Sequence, residues 1–403
     1  MMMSNKATPK GYQQTKIGVT PKDWKEYKLK DILLLSLEPL KMEDEKKYEL
    51  ITVRRRFGGV DSRGIFQGKK ILVKNQFYVR ENDFVISKRQ ISHGACGLIP
   101  KRLDGAIVSN EYNVFKVNEE LLDINFLDYY VRQPKFTRTF YSHSDGIHIE
   151  KLLFKTQSWL KLKIPFPPLK EQQKIAKILT TWDKAIEKQE ALIVAKEEFK
   201  KGLMQRLLSG DWDEVRLGDI STFHKGKGIS KKDISHNGIA CIRYGELYTK
   251  YSERITKIIS KTNLSKEKLF LSQKNDILIP ASGETAIDLA TASCVLKDDI
   301  GLGGDINIIR TNQNGTFLSY YLNTISKTKI ASLAQGISVI HLYSSQLKTL
   351  KIKLPPLKEQ QKIAQTLTTA DKEIELLKNE LEVLKEQKKG LMQRLLMGEV
   401  RCV

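Results

Sequence analysis

Residues 167–176 read PPLKEQQKIA, and residues 355–364 repeat the same ten letters. A second identical pair follows in the same frame, KKGLMQRLL at 200–208 and again at 388–396. Both pairs are 188 residues apart (355 − 167 and 388 − 200), and Trp24 and Trp212 keep the same offset. The segments between these blocks barely resemble each other. The chain is therefore two copies of one unit, with a constant frame and two variable segments.

Each constant block has the pattern of one long helix. Two prolines precede it, and Gly210 or Gly398 follows it, which favours a helix start and a helix end. Between these signals, apolar residues recur in steps of four and three, the heptad spacing of a coiled coil. We predict two helices of about 38 residues, each roughly 57 Å long. An antiparallel pair is favoured, because each helix joins the end of one globular segment to the start of the next.

The apolar seam, meaning the residues at this heptad spacing, is more regular in the second helix than in the first. Lys388 leaves a gap in the second seam, and Gln189, Lys196 and Lys200 interrupt the first. The second seam consists of Ile363, Leu367, Ala370, Ile374, Leu377, Leu381, Leu384, Leu391 and Leu395. The first consists of Ile175, Leu179, Trp182, Ile186, Ile193, Leu203 and Leu207. Equal length and register favour a helix pair over two unrelated amphipathic helices.

The composition predicts a polyanionic partner. The 403 residues include 68 Lys and Arg against 47 Asp and Glu, a formal net charge of +21. Such a charge favours nucleic acid first and an anionic membrane surface second, with an undirected positive surface as the alternative. No stretch approaches the roughly 20 apolar residues that span a bilayer. The polar N-terminus lacks the apolar core of a signal peptide, so we expect a cytoplasmic protein.

The sequence predicts a binding protein and no catalytic or metal site. An adenine methyltransferase would need a D/N-P-P-Y/F loop to hold its flipped base, whereas the Pro-Pro pairs here stand in FPPL and LPPL. No G-x-x-x-x-G-K-S/T phosphate loop is present. The six histidines are dispersed. The cysteines are scattered as reduced thiols would be, at Cys96, Cys241, Cys294 and Cys402.

The variable segments are interpreted as mixed β-rich domains, which makes the fold class α+β. Motifs shared between them indicate one ancestral fold with divergent loops, and loops on a shared scaffold are where recognition usually lies. The shared motifs are NDFVI at 82–86 with NDILI at 275–279, SNEYNVFK at 109–116 with GGDINIIR at 303–310, and FLDYY at 126–130 with FLSYY at 317–321. Strands are predicted at 70–73, 84–87, 239–242 and 277–279.

The expected organisation has five parts. These are a mobile polar arm (1–23), a first domain (24–166), a central helix (167–211), a second domain (212–354) and a C-terminal helix (355–403). Val403 is expected to end close to Trp24, where the first domain begins. The two halves would then be related by an approximate two-fold axis.

Candidate DNA-binding residues stand in basic or polar loops next to strands. Arginine and lysine can pair with guanine edges and glutamine with adenine, although most contacts to DNA go to phosphate and sugar. In the first domain the candidates are Arg54, Arg55, Arg56, Lys88, Arg89, Gln90 and His93. In the second they are Lys225, Lys227, Arg243, Tyr244 and Ser282.

With these motifs in view, the chain resembles the DNA-specificity subunit of Type I restriction-modification systems over nearly its whole length from about Ile17. The resemblance lies in the paired PPLKEQQKIA and GLMQRLL helices, the domain starts at Trp24 and Trp212, and the NDFVISKR and NDILIPAS strands. It implies two target recognition domains, separated by the helices and related as a pseudo-two-fold repeat, each reading one half of a split DNA site. The first domain has three arginines at 54–56 where the second has IRY at 242–244, so contacts do not transfer directly between them.

The resemblance also implies partners. The helices would set the gap between the half-sites and dock two modification subunits, which bind S-adenosylmethionine and methylate adenine. Restriction subunits would add cleavage driven by Mg-ATP, and this chain itself would hold no cofactor. Two alternatives stay open: a partner in which modification and cleavage are fused in one chain, and a coiled-coil scaffold between proteins.

Overall fold

The computed structural model describes residues 8–15, 17–146, 152–336 and 339–402. Contacts divide the chain into two compact units. Unit 1 comprises residues 1–188 and 381–403, and unit 2 comprises residues 189–380. The boundaries fall inside the two long helices, so each unit contains one β-rich domain and a part of each helix.

The long helices span Leu169–Leu207 and Leu357–Leu396, and they are called the first and second long helix below. Every predicted seam residue is buried or half-buried, which confirms the heptad interpretation. Within the described residues, neither these nor any other helix is long and apolar enough to cross a membrane.

In unit 2 the helices run antiparallel. The side-chain amide of Gln189 donates to the carbonyl of Leu377 at 3.1 Å, and seven residues further along the first helix Lys196 lies 2.6 Å from Glu373. Residue numbers therefore rise along one helix while they fall along the other. Gln189 and Lys196 interrupted the apolar seam in the sequence, and both have polar partners on the opposite helix.

Unit 1 shows the same antiparallel pairing. Ile175 near the start of the first helix shares a core with Leu395 near the end of the second. Closer to the middle of both helices, Asp183 forms an ion pair with Lys388. The gap that Lys388 leaves in the second seam is thus filled by a charge pair rather than by an apolar contact.

The domain of unit 1 is built on one five-stranded and one four-stranded sheet. The five-stranded sheet has the order Glu38–Leu40, Gln76–Tyr78, Ile107–Ser109, Lys47–Val53 and Val60–Gln67. The four-stranded sheet has the order Cys96–Leu98, Phe84–Ser87, Tyr112–Val117 and Leu33–Leu35. Two-stranded pairs join Lys163–Phe166 to Lys25–Lys28 and Ser144–Asp145 to Leu153–Phe154. The helices are Leu29–Ile32, Ile124–Tyr130, Pro134–Ser142 and Thr156–Trp159.

The domain of unit 2 has two five-stranded sheets. The first has the order Ser221–Lys225, Ile306–Thr311, Ile277–Pro280, Ser293–Val295 and Arg254–Ile255. The second has the order Ile234–Ser235, Ser260–Thr262, Ile239–Ile242, Gly301–Leu302 and Phe270–Leu271. Two-stranded pairs join Glu214–Arg216 to Lys351–Lys353 and Ser282–Gly283 to Ile340–His341. The helices are Tyr244–Thr249, Ala286–Leu289, Gly315–Thr324, Lys327–Leu333 and Ser344–Lys348.

The aligned NDFVI and NDILI motifs mark the same turn and strand in both units. Asn82 and Asn275 both have a positive φ, 66° and 83°, which asparagine tolerates better than most residues. The aspartate after each accepts a hydrogen bond from the backbone N–H three residues before it, at 2.7 Å and 2.8 Å. The strands Phe84–Ser87 and Ile277–Pro280 follow. The predicted α+β fold with two β-rich repeats and long helices is confirmed.

The strand predicted at 70–73 is wrong. Gly68–Lys70 is a 3₁₀ helix, and the next residues form a loop in which the Leu72 side chain is 95% exposed. Ile71, Leu72 and Val73 are consecutive apolar residues, whereas a strand with one buried face needs alternation.

The polar arm predicted for residues 1–23 is ordered in its second part. Strands Tyr12–Thr15 and Gly18–Pro21 pair as an antiparallel hairpin. Ile17 is buried in the core of unit 1, and this apolar anchor is why the segment does not remain an arm. Residues 1–7 lie outside the described part of the chain.

The first glutamine of each KEQQ motif anchors the start of its long helix. Gln172 is fully buried, and its amide oxygen accepts from the backbone N–H of Asp123 at 2.9 Å. Its amide nitrogen donates to the carbonyls of Leu121 and Pro167, each at 2.9 Å. Asp123 is the N-cap of a domain helix, so Gln172 ties that helix to the long one.

Gln360 does the same in unit 2. It accepts from the backbone N–H of Asn314, again the N-cap of a domain helix, at 2.9 Å. It donates to the side chain of Gln313 and to the carbonyl of Pro355, each at 2.8 Å. The repeated sequence is therefore a repeated anchor between domain and helix.

Candidate nucleic-acid interface

The three arginines at 54–56 lie in the loop between strands Lys47–Val53 and Val60–Gln67, and all three are exposed. Arg56 has a φ of 58° in this tight connection. Its backbone N–H donates to the carbonyl of His93 at 2.7 Å. This hydrogen bond holds the loop against the 3₁₀ turn Ile91–His93. Residues predicted from two separate motifs are thus brought together.

A cleft of about 370 Å³ opens between this loop and the turn. It is lined by Arg55, Arg56, Phe57, Ser92, His93, Gly94 and Thr137. Gly94 has a φ of 74°, and a Cβ there would lie 2.9 Å from the Phe57 ring, so the loop can close on the turn only over a glycine. The cleft presents guanidinium and imidazole groups, which suit phosphate or guanine.

Arg54 differs from its two neighbours because it pairs within the unit. Arg54 and Arg102 both contact Asp61, with the guanidinium of Arg102 at 2.7 Å. Hydrogen bonds from Arg102 and Arg54 hold the pKa of Asp61 below its usual range. The charge of Arg54 is therefore partly balanced, and its position is fixed by the pair.

Lys88, Arg89 and Gln90 follow the central strand of unit 1. Arg89 is exposed and lies 2.6 Å from Glu111. Lys88 is half-buried, and its carbonyl accepts from the N–H of Phe154. The amide oxygen of Gln90 is buried and has no hydrogen-bond partner among the described residues. A buried amide oxygen without a protein partner can be satisfied by an ordered water.

Unit 2 has a larger cleft, of about 900 Å³, on the corresponding variable segment. Glu246 lies buried in its lining, where it accepts from Ser260 at 2.6 Å and from the guanidinium of Arg243 at 3.2 Å. Tyr244 beside them is 38% exposed and offers a ring for stacking. The lining also includes Gly228, Ser230, Lys231, Lys232, Asp233, Lys250, Gly303, Gly304 and Asp305.

Three lysines of this lining were missed by sequence reasoning. Lys231, Lys232 and Lys250 are exposed, and the described part of the chain shows no ion pair for them. Asp233, by contrast, is engaged: hydrogen bonds from Ser230 lower its pKa. The signal was present in the run GKGISKK at 226–232, where two lysines follow a glycine-rich turn.

The remaining candidates of unit 2 fall in different places. Lys225 ends a strand 3.9 Å from Asp305, and Lys227 is exposed in the next turn. Gly226 between them passes so close to Gly303 that a Cβ would lie 1.9 Å from its carbonyl oxygen. Ser282 is only 7% exposed within a short strand, so its hydroxyl is not presented on a loop as the other candidates are.

The described residues contain no group of three or more His, Cys, Asp or Glu that could hold a metal ion. All four cysteines are free thiols. Burial raises the pKa of Cys241 and of Cys294 to about 11, which opposes a nucleophilic role for either. The arrangement of both clefts suits binding of an anion rather than covalent chemistry.

Solved structures with the same architecture include the HsdS subunit from Thermoanaerobacter tengcongensis, with a TM-score of 0.54, 17% identity, and coverage of 94% of this chain and 98% of that one. The S subunit of a Type I restriction-modification system from M. genitalium gives a TM-score of 0.53 at 19% identity and covers 92% and 96% of the two chains. At these identities the likeness supports the fold.

Relatives by sequence span the same length. The putative type I restriction enzyme MjaX specificity subunit of Methanocaldococcus jannaschii is 26% identical over 97% of this chain and 96% of its own. The MjaVIII specificity subunit of the same organism is 25% identical over 94% of each. A family model described as Type I restriction modification DNA specificity domain matches twice, at residues 21–194 and 209–386. The chain therefore belongs to the family of Type I restriction modification DNA specificity domains and carries two copies of that domain.

Proposed function

We propose that this chain is the DNA-recognition subunit of a Type I restriction-modification complex and that each domain reads one half of a bipartite site. The observation that carries the proposal is the contrast between constant and variable parts. The helices and their glutamine anchors repeat, while the two clefts are built from unrelated loop sequences on the same fold. Such a design lets one half-site change without altering the frame.

The chain acts as a non-catalytic partner in this proposal. Two modification subunits bind to the repeated helix surfaces, hold S-adenosylmethionine and methylate adenine. Restriction subunits with Mg-ATP cleave unmodified DNA in the cytoplasm. The repeat supports two equivalent partners, since each unit presents the same helix-and-domain junction.

The exposed basic and aromatic residues of the two clefts are the side chains that we expect to contact DNA. In unit 1 these are Arg55 and Arg56 with His93, and in unit 2 Arg243 and Tyr244 with the lysines at 231 and 232. Arg54, which lies outside the cleft lining, stays a candidate contact beside them. We expect most of these contacts to go to phosphates, which position the domain, and only a minority to base edges.

The proposal is tested by co-expressing the chain with its modification subunits and sequencing adenine methylation in single molecules. Arg55→Ala with Arg56→Ala should weaken methylation, and Lys231→Ala with Lys232→Ala should do so independently. Lys297→Ala, an exposed lysine outside the cleft lining, is the matched control. Replacing residues 24–166 by another recognition domain should change one half of the methylated motif only.

Salt dependence separates the proposal from its alternatives. Affinity of the complex for its site should fall steeply with salt, and removal of two phosphate contacts should reduce the slope of log K against log[salt] by about 2. A scaffold between proteins would show neither DNA binding nor a methylated motif. A partner in which modification and cleavage are fused would give the same methylated motif. In that case a single kind of partner chain, carrying both activities, would co-purify with this protein.

A further inference from the structure

A tyrosine, an aspartate and a lysine meet in unit 1 where the domain contacts both long helices. The hydroxyl of Tyr129, on the domain helix Ile124–Tyr130, donates to Asp183 of the first long helix at 2.6 Å. Lys388 of the second long helix pairs with the same carboxylate, and its Nζ lies 5.4 Å from the centroid of the Tyr129 ring. Three helices are joined by one charged group.

The same three residue types meet in unit 2. Tyr320, on the domain helix Gly315–Thr324, donates to Asp371 of the second long helix. Lys200 of the first long helix lies 2.6 Å from Asp371 and 5.5 Å from the centroid of the Tyr320 ring. Glu253 adds a second carboxylate 3.6 Å from Lys200.

The two clusters are equivalent in the repeat. Asp183 and Asp371 differ by the constant offset of 188, as do Lys200 and Lys388 (371 − 183 and 388 − 200). The tyrosines occupy the same place in FLDYY and FLSYY. In each unit the aspartate lies on the long helix that leaves the domain, and the lysine lies on the other. Both lysines stand at positions where the apolar seam is interrupted.

A lysine in a seam costs apolar contact but makes one register unique. The Lys388 and Lys200 side chains are only 15% and 17% exposed. If either helix slipped along its partner, the lysine would lose its carboxylate and be buried unpaired, and for this reason polar seam residues specify register in coiled coils. Burial alone would lower the pKa of Lys200, but Glu253 and Asp371 outweigh it and the pKa is raised, so the ammonium stays charged.

The tyrosines couple the domain to that register. Burial, reinforced by the aspartates, raises the pKa values of Tyr129 and Tyr320, which keeps both hydroxyls protonated as donors. The ammonium group above each ring adds a cation–π contact. A domain helix bound in this way cannot tilt on the helix pair without breaking both contacts.

We propose that Tyr129–Asp183–Lys388 and Tyr320–Asp371–Lys200 are spacer-determining clusters: each fixes helix register and domain angle within its unit, and together they set the number of base pairs between the half-sites. This inference rests on the proposed function. One base-pair step is about 3.4 Å, so a small tilt of a domain is enough to admit a second spacer length.

The experiment is single-molecule sequencing of adenine methylation in cells that express the full chain with its modification subunits. Lys388→Met and Lys200→Met should each allow methylation at spacers one base pair shorter or longer, at no less than a tenth of the main-site level. The two half-sites should stay unchanged. Lys388→Arg should keep a single spacer, and Lys389→Met, at an exposed position of the same helix, is the control.

Charge reversal protects the test against simple misfolding. If a Met variant gives no soluble protein, Asp183→Lys combined with Lys388→Asp should restore methylation at one spacer. Wild-type spacing with no second length in soluble Met variants would overturn the inference, as would failure of the reversed pair to recover. Absence of any bipartite methylation with the wild-type chain would instead overturn the proposed function.

Discussion

Glu171 and Glu359 occupy the same place in the repeated motif, yet different residues hold them. Glu171 in unit 1 accepts from the guanidinium of Arg401 at 2.8 Å and 3.0 Å and from the backbone N–H of Cys402 at 3.3 Å. Glu359 in unit 2 accepts from the indole N–H of Trp212 at 3.3 Å. The residue after one long helix thus binds the start of the other in both units, but once with a cation and once with a neutral donor.

Burial explains the difference. The Glu171 side chain is 2% exposed, and a buried carboxylate needs a cation or several hydrogen bonds. Glu359 is exposed, so its carboxylate can be solvated and needs no cation beside the single hydrogen bond from the indole. Trp24 stands in unit 1 where the offset places Trp212 in unit 2, and its N–H has no partner among the described residues. In unit 1 the partner of the motif's glutamate is therefore Arg401 and not an indole.

Arg401 also pairs with Asp23, at 3.0 Å for one nitrogen–oxygen pair. The hydroxyl of Tyr12 donates to the carbonyl of Gly398 at 2.9 Å. The segment after the second long helix therefore returns to the start of the first domain, as the repeat predicted. Val403 itself lies outside the described residues.

The largest loss of stability is expected for substitutions of the glutamine anchors, which are alike in the two units. Gln172→Met and Gln360→Met should each lower the free energy of unfolding by roughly 3–4 kcal/mol, because three hydrogen bonds are lost and their buried backbone partners remain unsatisfied. Urea unfolding, with hydrogen exchange resolved by unit, measures this. Lys170→Met and Lys358→Met, at exposed positions of the same motif, are the controls and should change little. Clearly unequal losses for the two glutamines would contradict the view of one repeated anchor.

Smaller and unequal losses of stability are expected for substitutions of Arg401 and Trp212, the partners of the motif glutamates that differ between the units. Arg401→Met leaves Glu171 buried without a cation and should lower the free energy of unfolding of unit 1 by about 2–3 kcal/mol. This is less than the roughly 3–5 kcal/mol expected for a fully buried pair, because Arg401 is partly exposed. Trp212→Phe removes one hydrogen bond from a neutral donor to an exposed carboxylate. It should lower the free energy of unfolding of unit 2 by about 1 kcal/mol. Glu171→Gln added to Arg401→Met should recover part of the loss. Equal costs for the two single variants would show that burial does not set the difference.

The sequence predicted what is local or periodic. The heptad pattern identified both long helices and their shared heptad frame, and the NDFVI and NDILI motifs identified one turn in two places. In the sequence, Lys200 and Lys388 only weaken the apolar seam, because the aspartates that pair with them lie 171 and 205 residues away in the chain (371 − 200 and 388 − 183), on the opposite long helix. Spacing along one helix cannot show such partners.

The candidate interface was predictable only in part, for a similar reason. Arg55, Arg56 and His93 were predicted as basic loop residues, and the structure brings them to one cleft, whereas Arg54 pairs with Asp61 outside its lining. Lys231 and Lys232 were missed although they stand in the run GKGISKK, because lysines are frequent throughout this chain and only the fold shows which of them face a cleft. Ser282 was predicted from its position near a strand end, but pairing with His341 encloses it.

The smallest effect is a pH dependence of the Arg401 contact. The hydrogen bond from Arg401 holds the pKa of Asp23 below its ordinary value of 3.8, although burial partly opposes this. A lowered pKa in the folded state adds stability that is fully present above the unfolded pKa and is lost as pH falls through the folded one. The melting-temperature gap between wild type and Arg401→Met should therefore be constant from pH 6 to about pH 5 and narrow below about pH 4. Asp23→Asn should weaken that narrowing, and a gap that stays flat down to about pH 3 would show that Asp23 gains nothing from Arg401.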